Sequence, residues 1–568
     1  MKLFIVLLTG AFMLATGTSD VFAKKKEKVQ TEAKSDTVQT ASKKRNTQYP
    51  RLFKNKRVVT KKGLITIHKI DDKLYFEFPK SLLGRDFLMG SSISATSDNT
   101  SGLVGQTMTT PLHIRFAIQE DQVYMQNVTP VSRMDVYSNQ SDISKAVAKS
   151  NITPDMESFK IAAYNMDSTA VVFEVTKFFL ADNKRLPLFD KNSASLEDEK
   201  YGQLELKAVL KKNLSSIRNF YVFDDNLEIN LDMSFYQSLL ANKKEVRGGN
   251  VRVKAVYSML LLPEETMAWR LGDPRLGYTF TKKQKISTEK DGTAFSYLQH
   301  KWNLLPADEE AYRRGDLVAP RKPVVFYIDN DFPEAWKKAI KEGVNWWNEA
   351  FKMAGFKEAV QTADFPANDT TFYAGNLKYS CIRYVPVNLS KTQSKVWVDP
   401  RSGEIINGTI FVGHDIAKTI ANQRFIQTAQ ADKRMRGLQL SEEILLESIR
   451  LYVAREVGHC LGLADNASAS AAFSVESLRS AAFTEQNGIA SSVMDELPYN
   501  YIAQPQDDKV QFVQNKLGAY DLYAIQMGYM LIPDTKTPEE IREKIMRWVS
   551  MKSGDPVYRY GKAQYQEA

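Results

Sequence analysis

Arg455-Glu456-Val457-Gly458-His459-Cys460-Leu461-Gly462-Leu463-Ala464-Asp465 is the stretch on which the reading of the fold turns. Upstream of it, Ser441 has the short hydroxyl of a helix N-cap, and Glu442 and Glu443 follow where the helix dipole favours carboxylates. Leu445, Ile449, Tyr452, Val453 and Glu456 then lie along one stripe, which predicts a long helix running into the quoted residues. Gly462 is the expected stop, because glycine adopts φ > 0 at little steric cost. Side chains four apart share a helix face, so Arg455 and His459 stand one turn apart with Glu456 beside them.

Working outward, Pro323-Val324-Val325-Phe326-Tyr327-Ile328 reads as a strand, and Trp336, Ile340, Val344, Trp347, Phe351 and Ala354 give one apolar face to a helix over 334–354 that Gly355 ends. Strand signals follow at 380–386 and 405–412. Strand, helix, strands, helix predicts a mixed α/β domain over 315–532, with a short, partly helical tail at 533–568. Before it, period-two alternation dominates. Leu64-Ile65-Thr66-Ile67-His68 and Leu74-Tyr75-Phe76-Glu77-Phe78 flank an Asp71-Asp72-Lys73 turn, and similar runs recur at 113–125, 170–176, 219–236 and 251–262. Residues 51–300 therefore read as one or more β-rich domains, and the whole chain as α+β.

The chain has 568 residues, 43% hydrophobic and 25% charged, which excludes collagenous, wholly disordered and polytopic membrane classes. Its formal charge of +9 does not indicate a nucleic-acid binder. Residues 24–62 hold 14 Lys/Arg against 3 Asp/Glu, whereas 63–568 hold 61 against 63. The excess lies in this N-terminal stretch, whose part over 24–50 reads as a basic, apolar-poor linker too polar to fold; its charge suits contact with an anionic surface, but a solvated linker is the favoured reading. Ahead of it, Lys2, an apolar run from Leu3 to Ala15 and the closing Val21-Phe22-Ala23 have the pattern of a signal peptide over 1–23. Export to the periplasm or the medium is the expectation, with no transmembrane segment and no indication of oligomeric state. Cys381 and Cys460 lie in apolar settings and read as two buried thiols rather than a bridge.

The spacing of residues 455–465 is that of H-E-x-x-H-x-x-G-x-x-H, and Ser492-Val493-Met494-Asp495 follows about 30 residues on. Arg270-Leu271-Gly272-Asp273-Pro274-Arg275-Leu276-Gly277-Tyr278, the run Val398-Asp399-Pro400-Arg401-Ser402-Gly403-Glu404-Ile405-Ile406, the run Tyr501-Ile502-Ala503-Gln504-Pro505 and Gly518-Ala519-Tyr520-Asp521-Leu522-Tyr523-Ala524-Ile525 accompany them. Together, from about residue 50 to 532, these resemble the bacterial secreted zinc-dependent metalloproteases that place β-rich domains before a metzincin domain. The resemblance implies zinc as cofactor, Glu456 as general base, His459 and Asp465 as remaining ligand positions, Gly462 as the turn, and Met494 and Asp495 as the Met-turn beneath the metal.

The departures fall on the chemistry. Arg455 stands at the first ligand position, and a guanidinium has no lone pair with which to hold zinc. Asp465 is a milder change, since a carboxylate can ligate. Glu496 stands where the family usually has Tyr. Of His68, His113, His300, His414 and His459, only His459 occupies a ligand position, while His414, just after the 405–412 strand, is either near the cleft or simply at the surface. Zinc is therefore expected to be absent or weak, and Arg455 is expected to pair with Asp465 or Glu456. The preferred reading is a pseudoenzyme whose cleft holds a peptide or protein along an edge strand formed by Ile405, Ile406, Gly408, Ile410 and Val412. The alternatives are an active zinc metallopeptidase with unusual ligands, and a cell-surface binding protein that works through its β-rich half.

Overall fold

The computed structural model describes residues 48–561, apart from 99–101, 103, 106, 129–133, 137–140, 190–196, 199, 201, 287–293, 370–371, 388–391, 438 and 536. The expected signal segment and the linker up to residue 47 lie outside the described residues. The fold is α+β, with β-rich sheets in the N-terminal half and a mixed domain after them.

Alternation of apolar and polar residues builds the first half. Twelve strands from Val58–Lys62 to Lys244–Leu261 form one sheet in which every neighbouring pair is antiparallel. The Thr66–Ile70 and Lys73–Pro79 strands pair about Asp71 at φ 53°, where the turn was expected. The run read as 219–236 is two strands, Ser216–Val222 and Asn226–Ala241. The second of these pairs with Lys244–Leu261 through Asn242 and Lys243, both at positive φ, the geometry that matches the twist of a two-residue hairpin. One face buries Phe76, Phe78, Phe87, Phe116 and Phe173 in a single cluster. The opposite face carries Tyr221, Glu228, Asn230 and Ser258.

The second half is built on a five-stranded sheet in the order Val360–Asp364, Val324–Ile328, Ser380–Val385, Ile405–Gly413, Thr392–Val398. The first three neighbouring pairs are parallel and the last is antiparallel. This corrects the expected substrate edge. Ile405–Gly413 is a strand, but it is an inner one, because Thr392–Val398 folds back onto its outer side and becomes the edge. The expected helix over 334–354 is two pieces, Glu334–Asn345 and Trp347–Met353, separated at Trp346 and closed by Gly355 at φ 87°. Glu442–Cys460 is one helix, with the Ser441 side chain accepting from Ile444 N.

One core unites Leu276 and Tyr278, the five-stranded sheet, the long helix and the Ala519–Tyr529 helix. Ile545 and Val549, from the Pro538–Lys552 helix, are buried in the same core. Cys381 and Cys460 are buried and free. No helix among the described residues is long and apolar enough to cross a membrane.

An ion cluster fastens the halves together. Arg401, in the 398–406 turn, donates to Asp399 of the same turn and reaches Asp86 of the large sheet at 3.3 Å. Arg115 and His113 hold Asp86 from the other side, at 2.6 and 2.8 Å. Burial alone would raise the Asp86 pKa, but the bonds from His113 and Arg115 outweigh it and hold the carboxyl well below the usual range. A depressed carboxylate contributes stability above its unfolded pKa of about 3.9 and loses it as pH falls through the lower folded value. Asp86→Asn is thus expected to cost about 2 kcal/mol at neutral pH. Its deficit relative to wild type should shrink on acidification below about pH 4. Melting curves from pH 3 to 8 check this, and a deficit that stays constant with pH refutes it.

Candidate functional site

The long helix delivers Arg455, Glu456 and His459 to one end of the sheet and stops where expected. Gly462 has φ 95°, and a Cβ there would lie 2.3 Å from the carbonyl oxygen of His300. The chain then pairs back across Gly277–Thr279. Thr279 N donates to Gly462 O at 2.8 Å, and Ala464 N donates to Gly277 O at 2.8 Å. Tyr278 anchors that strip by donating to Ala524 O, and Arg270 donates to the carbonyls of Met527 and Met530. The 270–278 run therefore supports the turn that positions Asp465.

Met494 is fully buried against bare helix backbone. A Cβ on Gly458 would lie 2.3 Å from its sulfur, one residue before His459. The Met494 turn is held by Asp521, which accepts from Ser492 Oγ at 2.6 Å and from Val493 N and Gly518 N at 2.8 Å each. Asp495 accepts from Leu497 N at 2.9 Å and from Ser470 N, and burial raises its pKa. Two of the sequence runs, 492–495 and 518–525, thus form one hydrogen-bonded unit.

The three ligand positions converge, and Arg455 closes them. Arg455 Nη2 donates to Asp465 Oδ1 at 2.7 Å, and His459 Nε2 lies 3.2 Å from the same oxygen. The other ring nitrogen, Nδ1, faces Leu463 O at 3.0 Å. Both nitrogens thus meet acceptors, an arrangement the doubly protonated ring satisfies. Burial pulls the His459 pKa down, but Asp465 and Glu456 outweigh it and raise it above the ordinary value. Burial pushes Asp465 up, and the bonds from His459 and Arg455 outweigh that and hold it well below the usual range. Glu456 is 8% exposed and accepts from Thr392 Oγ1 at 2.9 Å, so Arg455 takes Asp465 and not Glu456.

Glu496 is exposed to solvent. His414 Nδ1 bonds to Tyr384 Oη at 2.5 Å and its ring stacks on Trp336, away from the cleft. The donor set does not fit a catalytic zinc. Such an ion needs three protein lone-pair donors, and here a permanent cation occupies one position and neutralises the carboxylate of another. Among the described residues, no group of three or more His, Cys, Asp or Glu is arranged to hold a metal ion.

A cleft of about 850 Å³ opens beside His459 and Gly462 and runs along Ser394, Val396 and Val398 of the outer strand. Its far wall is the hairpin Phe280–Ile286 with Ala294–Gln299, whose Phe280 and Phe295 are 50% and 53% exposed. The sequence reading missed both walls. Thr392–Val398 is polar on one face and mixed on the other, and the hairpin lies within what read as β-rich upstream territory.

A sheet with one antiparallel outer strand, a long helix broken at glycine, and a buried methionine turn beneath them define the scaffold of a zinc metalloprotease domain. Residues 437–568 match a family described as Met-zincin, and this part of the chain belongs to the metzincin type. Residues 105–307 and 47–96 match two families that are each described as a domain of unknown function, DUF5117 and DUF5118. No curated protein and no solved structure matches the chain.

Proposed function

We propose that this protein is an exported metzincin homologue that has lost zinc catalysis and keeps its cleft as a groove for an extended peptide or protein segment. The observation that carries this reading is the Arg455–Asp465 ion pair at 2.7 Å, in the place where two zinc ligands belong. The cluster is self-satisfied: a cation, a carboxylate and an imidazole balance one another without a metal. Recognition of an extended chain needs neither zinc nor a general base, only an open strand edge and side-chain pockets. That edge is Thr392–Val398, and the exposed rings of Phe280 and Phe295 opposite it suit apolar side chains. The leader pattern before residue 24 supports export.

The test is elemental analysis of the purified full chain, paired with an assay on casein and on peptides derived from it. Expected are substoichiometric zinc, no cleavage, and saturable binding of a subset of the peptides that survives chelation. One zinc per chain, lost on chelation together with caseinolysis, would overturn the proposal.

A further inference from the structure

The two large sheets face each other behind the outer strand, yet they do not interdigitate along their whole contact. Trp397 packs with Leu88, Leu260, Leu262 and Leu377 and seals one end. Beyond that plug lies a cavity of about 500 Å³. Register places Tyr221, Glu228 and Ser258 in one row across its floor. On the opposite sheet, Lys395 pairs with Thr409, and Gln393 and Arg383 flank Phe411. The side chains that face each other are therefore polar or charged, where sheet packing ordinarily buries apolar ones.

The charges do not balance. Arg218, Lys254, Arg383 and Lys395 line the cavity, and Glu228 is its one carboxylate among the described residues. Glu228 is already engaged, accepting from Tyr373 Oη at 2.5 Å and from Asn230 Nδ2 at 2.8 Å. Burial raises its pKa, which favours the neutral acid. Arg383 and Lys395 rest over the rings of Phe411 and Trp397, at 5.9 and 5.2 Å, and make no hydrogen bond or ion pair among the described residues. Burial lowers the Lys395 ammonium to about 8. At the outer mouth, Asp232 lies beside Arg218 and Lys254 and its Oδ2 pairs with Arg252 at 3.0 Å, which leaves Arg383 and Lys395 as the cations of the interior.

Four cations around a recessed space that holds one carboxylate, Glu228, focus a positive potential, and the half-buried Arg383 and Lys395 keep donors open to an anion. We infer that this inter-sheet cavity is a binding site for a small organic anion carrying a carboxylate or phosphoryl group, held by Arg383 and Lys395. The volume suits a compact molecule rather than a polymer. The site does not rest on the peptide-groove reading: it lies on the opposite face of Thr392–Val398, whose Ser394 and Val396 line the cleft while Lys395 and Trp397 line the cavity.

Thermal melts of the full chain test the inference, with citrate, glucuronate and inorganic phosphate as probes and with glucose and ionic-strength-matched sodium chloride as controls. At least one anion should raise Tm saturably, and the controls should not. The Arg383→Met, Lys395→Met double variant should melt higher than wild type in anion-free buffer, by about 2 °C, and should ignore the anions. Thr409→Glu places a carboxylate opposite Lys395 and should likewise raise Tm and blunt the response, so a poorly folding double variant does not block the test. No response to any of the three anions beyond sodium chloride, or equal responses in wild type and in the cavity variants, would refute the site.

Discussion

Replacing Arg455 and Asp465 together by His is expected to give a chain that binds zinc far more tightly than wild type, with a Kd at or below about 1 μM, some 8 kcal/mol of binding free energy. The geometry supports this because the three positions already meet. A single Asp465 oxygen lies within 2.7 Å of the Arg455 guanidinium and 3.2 Å of the His459 ring. Two imidazoles four residues apart on a helix, with a third after the glycine turn, restore a full donor set on an unchanged backbone. The methionine floor and its Asp521 clamp are intact. Zinc at 100 times Kd should then stabilise the double variant by about 2.7 kcal/mol, read as a rise in Tm that wild type does not show. Proteolysis should remain weak, because Glu456 is tied to Thr392 and Glu496 replaces the usual Tyr. Absence of zinc uptake by the double variant at micromolar metal would show that the ligand positions do not converge as described.

Gly462→Ala should lower stability by on the order of 3–4 kcal/mol, combining left-handed backbone strain with a clash that neither partner relieves easily. The added carbon would sit 2.3 Å from the His300 carbonyl, which belongs to backbone and cannot swing aside. Gly315→Ala is the control: its φ of 91° imposes similar strain, but no heavy atom lies within 4 Å. It should cost about 1 kcal/mol. Urea unfolding of both variants separates conformation from contact. Equal losses would mean that the close approach to residue 300 contributes nothing. The same substitution made in the double-histidine chain should also abolish zinc uptake, since this turn places the backbone that carries residue 465.

The helix, its cap and the glycine stop were legible because their signals are local and depend on spacing along one element, whereas the methionine turn was legible only through the family resemblance. The Arg455–Asp465 pair was legible for the same reason, with Glu456 as the rival that Thr392 removes. What failed was non-local. The reading of Ile405–Gly413 as an edge rests on the metzincin resemblance, whereas its apolar run suits the inner strand it is, and Thr392–Val398 hardly reads as a strand at all. Its inward residues face a hydrated cleft on one side and a charged cavity on the other, so it lacks the apolar–polar contrast that periodicity detects. The cavity itself draws its cations from residues 218, 254, 383 and 395. No window of sequence contains them together.

The support of the Gly462 turn by residues 277–300 bears on how this protein can vary. The stretch recognisable as metzincin begins at residue 437, but the carbonyl that requires glycine at 462, the strip that pairs with residues 462–464 and the five-stranded sheet all lie before it. Cutting or recombining the chain at that boundary would divide a single hydrophobic core and leave the motif without its scaffold. The 437–568 stretch is therefore no module that stands by itself: its core is completed by residues that precede the boundary, from Leu276 to Ile420.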